Sequence, residues 1–385
     1  MNAVRTGWKN CLPACLKSRG LVVALLVAMT VSIGGSRATA LTIFPTFDDS
    51  ITSDPRAGDI QTTIAAMCFE YQNRIADPGL VNITFTNMPS GLGESFFGGS
   101  TGSNYAYSNY VAALYSHATS LIDLDVINDL PITNKNPVNQ ATQIYLQNAL
   151  ARTLGLTTFA PASDNTIGLN IASFRIAESD GYGFDFFGCL CFTKYSLCPV
   201  ICHEIDEVLG MHSALDGKTN GNPAPTDFIS TEDLWRYDAN GVRSFTLDVN
   251  AVSYFTLPGY GTLERFNQKD GGDFHDWFGD GIARVQNATG ITDTDPRLGD
   301  EMVILDIIGY KTLPNPVWCD LTESSGGNGA YFSAYNSDTT AANNITGGGT
   351  IMFKKTPTLH HTRLDTSLYG KQLRLVSFEG TRITR

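Results

Sequence analysis

The chain has 385 residues, with 38 acidic and 26 basic side chains, a formal net charge of −12 and 42% hydrophobic residues. That length and apolar content suit one large or two modest packed domains. The acidic balance argues against a nucleic-acid surface, which needs a basic stripe, so no nucleic-acid partner is expected.

The first segment has the layout of a secretory leader. Arg5, Lys9, Lys17 and Arg19 precede an apolar run from Leu21 to Ile33, and Ala38-Thr39-Ala40 reads as a cleavage site. The run is shorter than the roughly 20 residues that cross a bilayer. Residues 1–40 are therefore expected to be a signal peptide, leaving a secreted, extracellular protein with no membrane association after cleavage. An uncleaved anchor is the alternative. Losing the leader removes five basic residues and no acid, which takes the balance near −17. A structural Ca²⁺ fits that acidity. Cys68, Cys189, Cys191, Cys198, Cys202 and Cys319 remain. An even number in a secreted chain reads as disulfides, with pairing left open, and the group from Cys189 to Cys202 reads alternatively as a thiolate metal site.

After a Pro/Asp-rich lead-in, apolar spacing predicts a helix over residues 59–75, and Val81–Thr86 alternates as a strand. A Gly/Ser-rich loop over 91–103 leads to helical stretches near 109–118 and 120–129, and 140–154 reads as mostly helical. A strand follows near 166–171. From 196 to 209, Leu197, Cys198, Ile201, Cys202, Ile205, Val208 and Leu209 mark one helical face, ended by Gly210. Strand signals lie at 242–247 and 252–257, and a closing helix spans 299–308. Residues 312–350 are Gly/Ser/Asn-rich and read as a linker, and 351–385 as a basic tail. The order suits an α+β fold with a mixed sheet, an active-site helix and an irregular C-terminal subdomain.

The helix at 196–209 carries His203-Glu204-Ile205-Asp206-Glu207. In the zinc pattern H-E-x-x-H, two histidines one turn apart hold the ion and the glutamate activates water. Here Glu207 stands at the second histidine position. Positions i and i+4 share a face, and zinc accepts carboxylate oxygen, so His203 and Glu207 remain a chemically sound pair of ligands with Glu204 as general base. A solvated amphipathic helix with three exposed carboxylates is the simpler alternative. A third ligand is needed: His212 is the leading choice, Asp216 a second, and the cluster from Gly271 to Trp277, with Asp273 and His275 on one strand face, a third. A structural turn explains that cluster as well.

These segments resemble a family of secreted zincin-type metalloproteases with an H-E-I-x-E-V-L-G active helix, of metzincin or matrixin type. The likeness runs through Val81–Thr86 (VNITFT), Ala149–Leu156 (ALARTLGL) and His203–Gly210. It continues through Asp233–Phe245, Phe266–Trp277, Arg284–Asn287 and Leu305–Tyr310, covering about residues 55–311. Residues 312–385 fall outside it, and no hydrophobic sorting tail is present. The resemblance implies a zincin-like domain over 41–311, with His203, Glu204 and Glu207 as site positions and Glu207 regular for the group. The resulting expectation is a zinc-dependent endopeptidase acting on protein or peptide substrates: one Zn²⁺ held by His203, Glu207 and His212, with Glu204 catalytic. The competing expectation is a non-catalytic extracellular binding protein on the same scaffold. A glycosidase reading is weaker, because carboxylates three apart on one helix converge poorly on opposite sides of a sugar.

Overall fold

A computed structural model describes residues 40–96, 100–119, 121–175, 194–257, 261–313, 317–329, 333–345, 349–354, 360–362, 373–377 and 381–383. The leader expected over 1–40 lies outside them except for Ala40, as do Cys189 and Cys191.

The chain is mixed α/β. Its early strands are β1 (Leu41–Phe47), β2 (Gly79–Asn87), β3 (Gly93–Ser95), β4 (Gly102–Ala106), β5 (Gln143–Gln147) and β6 (Asn165–Leu169). The helices among the described residues are α1 (Asp49–Thr52), α2 (Ala57–Arg74), α3 (Tyr107–His117), α4 (Leu121–Asn128), α5 (Asn148–Thr153), α6 (Leu197–Leu209), α7 (Asp300–Ile308) and α8 (Asp338–Asn344). The main sheet has the order β1-β2-β6-β3. β1, β2 and β6 run parallel, with Ile43 opposite Val81 and Phe85 opposite Ile167, whereas β3 lies antiparallel on β6 as an edge. Alternation along β2 buries Val81, Ile83 and Phe85. α2 packs on β1 and α6, and α6 packs on β3. Each fully buried Ile or Leu in this layer contributes about 1.5–3 kcal/mol, so the apolar face of α6 is the force that fixes its depth.

Several expectations shift. β1 was not foreseen; it is an edge strand that tolerates Pro45, and its outward Thr42 and Phe44 mask the alternation. The helix expected over 140–154 is a strand followed by a short helix, because Gln143–Gln147 pairs with β4 and only Asn148–Thr153 turns helical. The strand expected at 242–247 is reduced to a bridge from Arg243 to Tyr237.

The stretch expected to be a linker carries structure. Strand Val317–Cys319, α8 and strand Thr350–Phe353 fall within or across 312–350, and the two strands pair in parallel. Val317, Cys319, Ala341, Ala342, Ile351 and Phe353 form a small core of their own, and Trp318 joins the main core at 1% exposure. Of the glycines that suggested a linker, Gly327 and Gly329 are tied by their amides to Ala334 O and Ser333 O at 3.0 and 2.9 Å. In the basic tail, Arg374–Ser377 extends this sheet, and His360–Thr362 pairs with Thr381–Ile383.

The described cysteines depart from the disulfide expectation. Cys68, Cys198, Cys202 and Cys319 are buried free thiols. Cys202 Sγ lies 3.7 Å from Met67 Sδ at the α2–α6 contact, so it acts as a small apolar core group. Burial pushes the Cys68 thiol up to about 12. Among the described residues no helix is long and apolar enough to cross a membrane.

Candidate metal centre and cleft

α6 starts after Ser196, whose extended backbone precedes the first turn and whose hydroxyl donates to Asp295 Oδ1 at 2.6 Å. It stops at Gly210, where φ is +121° and the amide closes on the carbonyls of Asp206 and Glu207. A side chain there would also press on Leu150 Cδ2 at 3.0 Å, so glycine serves both the turn and the packing.

The three carboxylates of the helix are not a solvated face. Glu204, Asp206 and Glu207 are 4%, 0% and 5% exposed. Asp206 points away from the cleft, where Tyr71 donates to its Oδ1 at 2.7 Å, anchoring α6 to α2. Glu204 and Glu207 line a cleft of about 1040 Å³, bounded by β3 on one side and residues 283–296 on the other.

At the cleft floor four donor atoms meet. His203 Nε2 lies 3.3 Å from Glu207 Oε1 and 3.3 Å from Asp276 Oδ1. His275 Nε2 lies 2.9 Å from the same Glu207 oxygen and 3.4 Å from the same Asp276 oxygen. The far nitrogens of both rings are engaged: His203 Nδ1 faces Val285 O at 3.0 Å, and His275 Nδ1 faces Asp216 Oδ2 at 2.9 Å. A proton on each Nδ1 satisfies those acceptors, so a cation that displaced the Nε2 protons would meet both Nε2 lone pairs at the centre. Glu207 Oε2, the oxygen turned outward, accepts from Ser95 Oγ at 2.5 Å.

The charges are interdependent. Burial and the nearby Glu207 hold the Glu204 carboxyl well above the usual range. Burial opposes ionisation of Glu207 too, but hydrogen bonds from His203 and His275 outweigh it and hold that carboxyl well below. Burial pushes Asp276 up to about 7 against the pull of both histidines. Burial works against charged His203 and His275, yet Asp276 and Glu207 around the first, and Asp216 around the second, hold both well above the ordinary imidazole value. A cluster with this many acceptors about two imidazoles is electrostatically arranged for a cation.

The expected ligands separate as follows. His203 and Glu207 meet, with Glu204 beside them. His212 lies beside this group and not among its four atoms: its Nδ1 is 3.5 Å from Asp216 Oδ2 and its ring sits edge-on to His275 at 5.1 Å, so with Asp216 and His275 it makes a second, adjoining group of potential ligands. The chain leaving Gly210 is tied down by Thr231 Oγ1 donating to Gly210 O and Glu232 N–H to His212 O, which leaves the inner position to His275. Asp216 is spent holding the incoming loop, accepting from the amides of Ser213, Phe274 and His275 as well as the His275 ring. Residues 271–276 form turns and bends, as the structural-turn alternative had it, and Asp273 and His275 do not share a strand face; His275 is buried at 1%, and Asp273 stays exposed at the cleft. Asp276 belongs to the candidate cluster from Gly271 to Trp277, though it was not singled out there, and the fold brings its Oδ1 to both histidines. Both groups of three or more potential ligands among the described residues, His203/Glu207/Asp276 and His212/Asp216/His275, lie at this one site. Comparison with family models, curated proteins and solved structures finds no match for the chain.

Proposed function

We propose that the chain is a secreted, metal-dependent endopeptidase of zincin-like architecture. His203, Glu207, His275 and Asp276 would hold Zn²⁺, and Glu204 would serve as general base. The observation that carries this reading is the convergence of two imidazole nitrogens and two carboxylate oxygens in a cleft. A tetrahedral zinc with bonds near 2.0–2.1 Å separates its donors by about 3.3–3.4 Å. Of the four histidine–carboxylate separations, 3.3, 3.3 and 3.4 Å meet that spacing, and the 2.9 Å pair needs to open by a few tenths. The contacts of the far nitrogens, to a carbonyl and a carboxylate, are those that orient metal-binding histidines elsewhere.

The ion would supply Lewis acidity toward the scissile carbonyl and toward water. Glu204, whose Oε2 is buried and has no hydrogen-bond partner, takes the proton of the attacking water and returns it to the leaving amine. A peptide substrate is favoured by β3. Asn170 N–H donates to Leu92 O at 2.9 Å opposite the β3–β6 register, so antiparallel geometry turns the backbone groups of Gly93 and Ser95 away from β6. That leaves a strand edge along the cleft able to pair with an extended chain.

One observation favours a second reading. Four protein donors close a tetrahedral site, which is the habit of structural zinc centres, whereas hydrolytic ones keep a position for water. On that reading the protein is a non-catalytic extracellular binding module, and under the first the ion takes a fifth ligand. Metal content of the purified chain and chelator-sensitive cleavage of casein separate them. The enzyme reading expects one equivalent of zinc, cleavage lost to chelator, and Glu204→Gln retaining zinc while losing about 10²–10⁴-fold in turnover. Stoichiometric zinc without any hydrolysis supports the second reading, and absence of stoichiometric metal sinks both.

A further inference from the structure

Glutamate in place of a second histidine brings a problem that histidine does not have. An imidazole offers the ion one lone pair, whereas a carboxylate offers two oxygens. If Glu207 bound through both, it would draw the ion off the His203–His275 side and take up the coordination position that water needs. The geometry points to Ser95 as the residue that prevents this, a positioning residue holding Glu207 to one-oxygen ligation. This inference rests on the metal-centre reading above.

The two oxygens of Glu207 have divided surroundings. Oε1 faces His203 Nε2 and His275 Nε2 at 3.3 and 2.9 Å, and Oε2 accepts the Ser95 hydroxyl at 2.5 Å. A hydroxyl donating to an ionised carboxylate makes a charge-assisted bond, stronger than a neutral one. Pulling Oε2 onto the ion would require breaking it where Glu207 is only 5% exposed. The hydroxyl is also held on rigid backbone. Ser95 is opposite Ile167 in the β3–β6 pairing, and directly after it Phe96 N–H donates to Asn165 Oδ1 at 3.0 Å while Phe96 O accepts from Asn165 Nδ2 at 2.9 Å. Period-two alternation puts residues 93 and 95 on one face of the strand. That face looks at α6, since a Cβ on Gly93 would meet Glu204. Thus β3 meets both glutamates of the helix motif, with Gly93 leaving space for one and Ser95 bonding the other.

The test uses the full chain and its Ser95→Ala and Ser95→Thr variants, titrated with Zn²⁺ against a chromophoric chelator and with Co²⁺ by visible absorption. Ser95→Ala is expected to bind Zn²⁺ about 10–100-fold more weakly, the usual cost of removing an outer partner of a ligand. Its Co²⁺ bands should weaken and move to shorter wavelength as the carboxylate adds its second oxygen. Ser95→Thr, which keeps the hydroxyl, should bind within about threefold of the parent, and this rescue separates positioning from mere packing. If Ser95→Ala does not fold, the near-isosteric pair Ser95→Thr and Ser95→Val makes the same comparison. Equal zinc affinity and an unchanged Co²⁺ spectrum in the variant lacking the hydroxyl would overturn the inference while leaving the metal centre standing. A parent chain that binds neither ion would overturn the metal centre first and this inference with it.

Discussion

Gly93→Ala is the sharpest test of how closely the sheet edge and the active helix are fitted. An ideal Cβ at Gly93 lies 2.3 Å from Glu204 Oε1, 2.8 Å from Glu204 Cδ and 2.8 Å from Val200 Cγ1. Ordinary contact begins near 3.4 Å, so the carboxyl must retreat by about 1 Å or β3 must lift from α6. Neither is easy: Glu204 is 4% exposed and Val200 belongs to the same helix. Overpacking of this kind costs about 1–3 kcal/mol of stability. Displacing a catalytic group by about 1 Å costs on the order of 10²-fold in rate. The expected result is therefore a roughly hundredfold fall in kcat/KM for a chelator-sensitive peptide, with zinc stoichiometry kept because Glu204 is not a ligand.

Gly58→Ala is the matched control. Nothing lies within 4 Å of a Cβ there, and the site is in the first turn of α2, so the change should be neutral or slightly stabilising. Gly93→Ala activity within threefold of the parent would refute the claim that this close approach positions Glu204.

Three further outcomes are expected. His275→Ala should lower zinc affinity by at least about 10²-fold, while His212→Ala should leave it within a few-fold, measured by chelator competition; the reverse order would restore His212 as the ligand. Burial pushes Asp233 up to about 6 from an unfolded value of 3.8. The native state then holds that proton more tightly, so the Asp233 contribution to stability declines as pH rises from about 4 through 6 and is flat above. The difference in urea midpoint between the parent and Asp233→Asn should drift in that window, and a constant difference from pH 4 to 7 would refute the assignment. Trp318→Ala should cost about 3–5 kcal/mol in urea unfolding, since the indole is 1% exposed and its Nε1 reaches toward Glu70 Oε2 at 3.5 Å. An unchanged midpoint would return 312–350 to linker status.

What could be read in advance follows from how local each signal is. α6 was readable because its apolar residues recur at helical spacing within 13 residues and its stop is a single glycine. β2 and β6 were readable from alternation. β1 was not, because an edge strand with one exposed face and a proline resembles a lead-in. The misread helix at 140–154 shows the same limit: pairing with β4, about 40 residues earlier, decided the conformation of Gln143–Gln147. His203 and Glu207 share a helix face and were paired by spacing alone. His275 is 68 residues from Glu207 and reaches it only because Asp216 collects the amides of 213, 274 and 275. Sequence spacing favoured His212 because it weighs nearness along the chain, whereas the atoms nearest His203 and Glu207 come from the loop that Asp216 ties inward.

The same reasoning changes how the helix motif should be judged. Taken as a linear pattern, H-E-x-x-E is a zinc signature with its second histidine lost. Taken with β3, it is a different solution with its own support. On the proposed metal reading, a glutamate ligand needs its spare oxygen occupied, and Ser95 bonds Glu207 Oε2. On the same reading a buried general base needs room against the neighbouring strand, and Gly93 leaves that room beside Glu204. Both residues stand on the strand that would also pair with substrate, so the fit of the peptide and the geometry of the two glutamates depend on one short element. A substitution on β3 that looks remote from the histidines should therefore disturb the His203–Glu207 pair more than a change at His212, which is nearer in sequence but contacts Asp216 and His275 and not that pair.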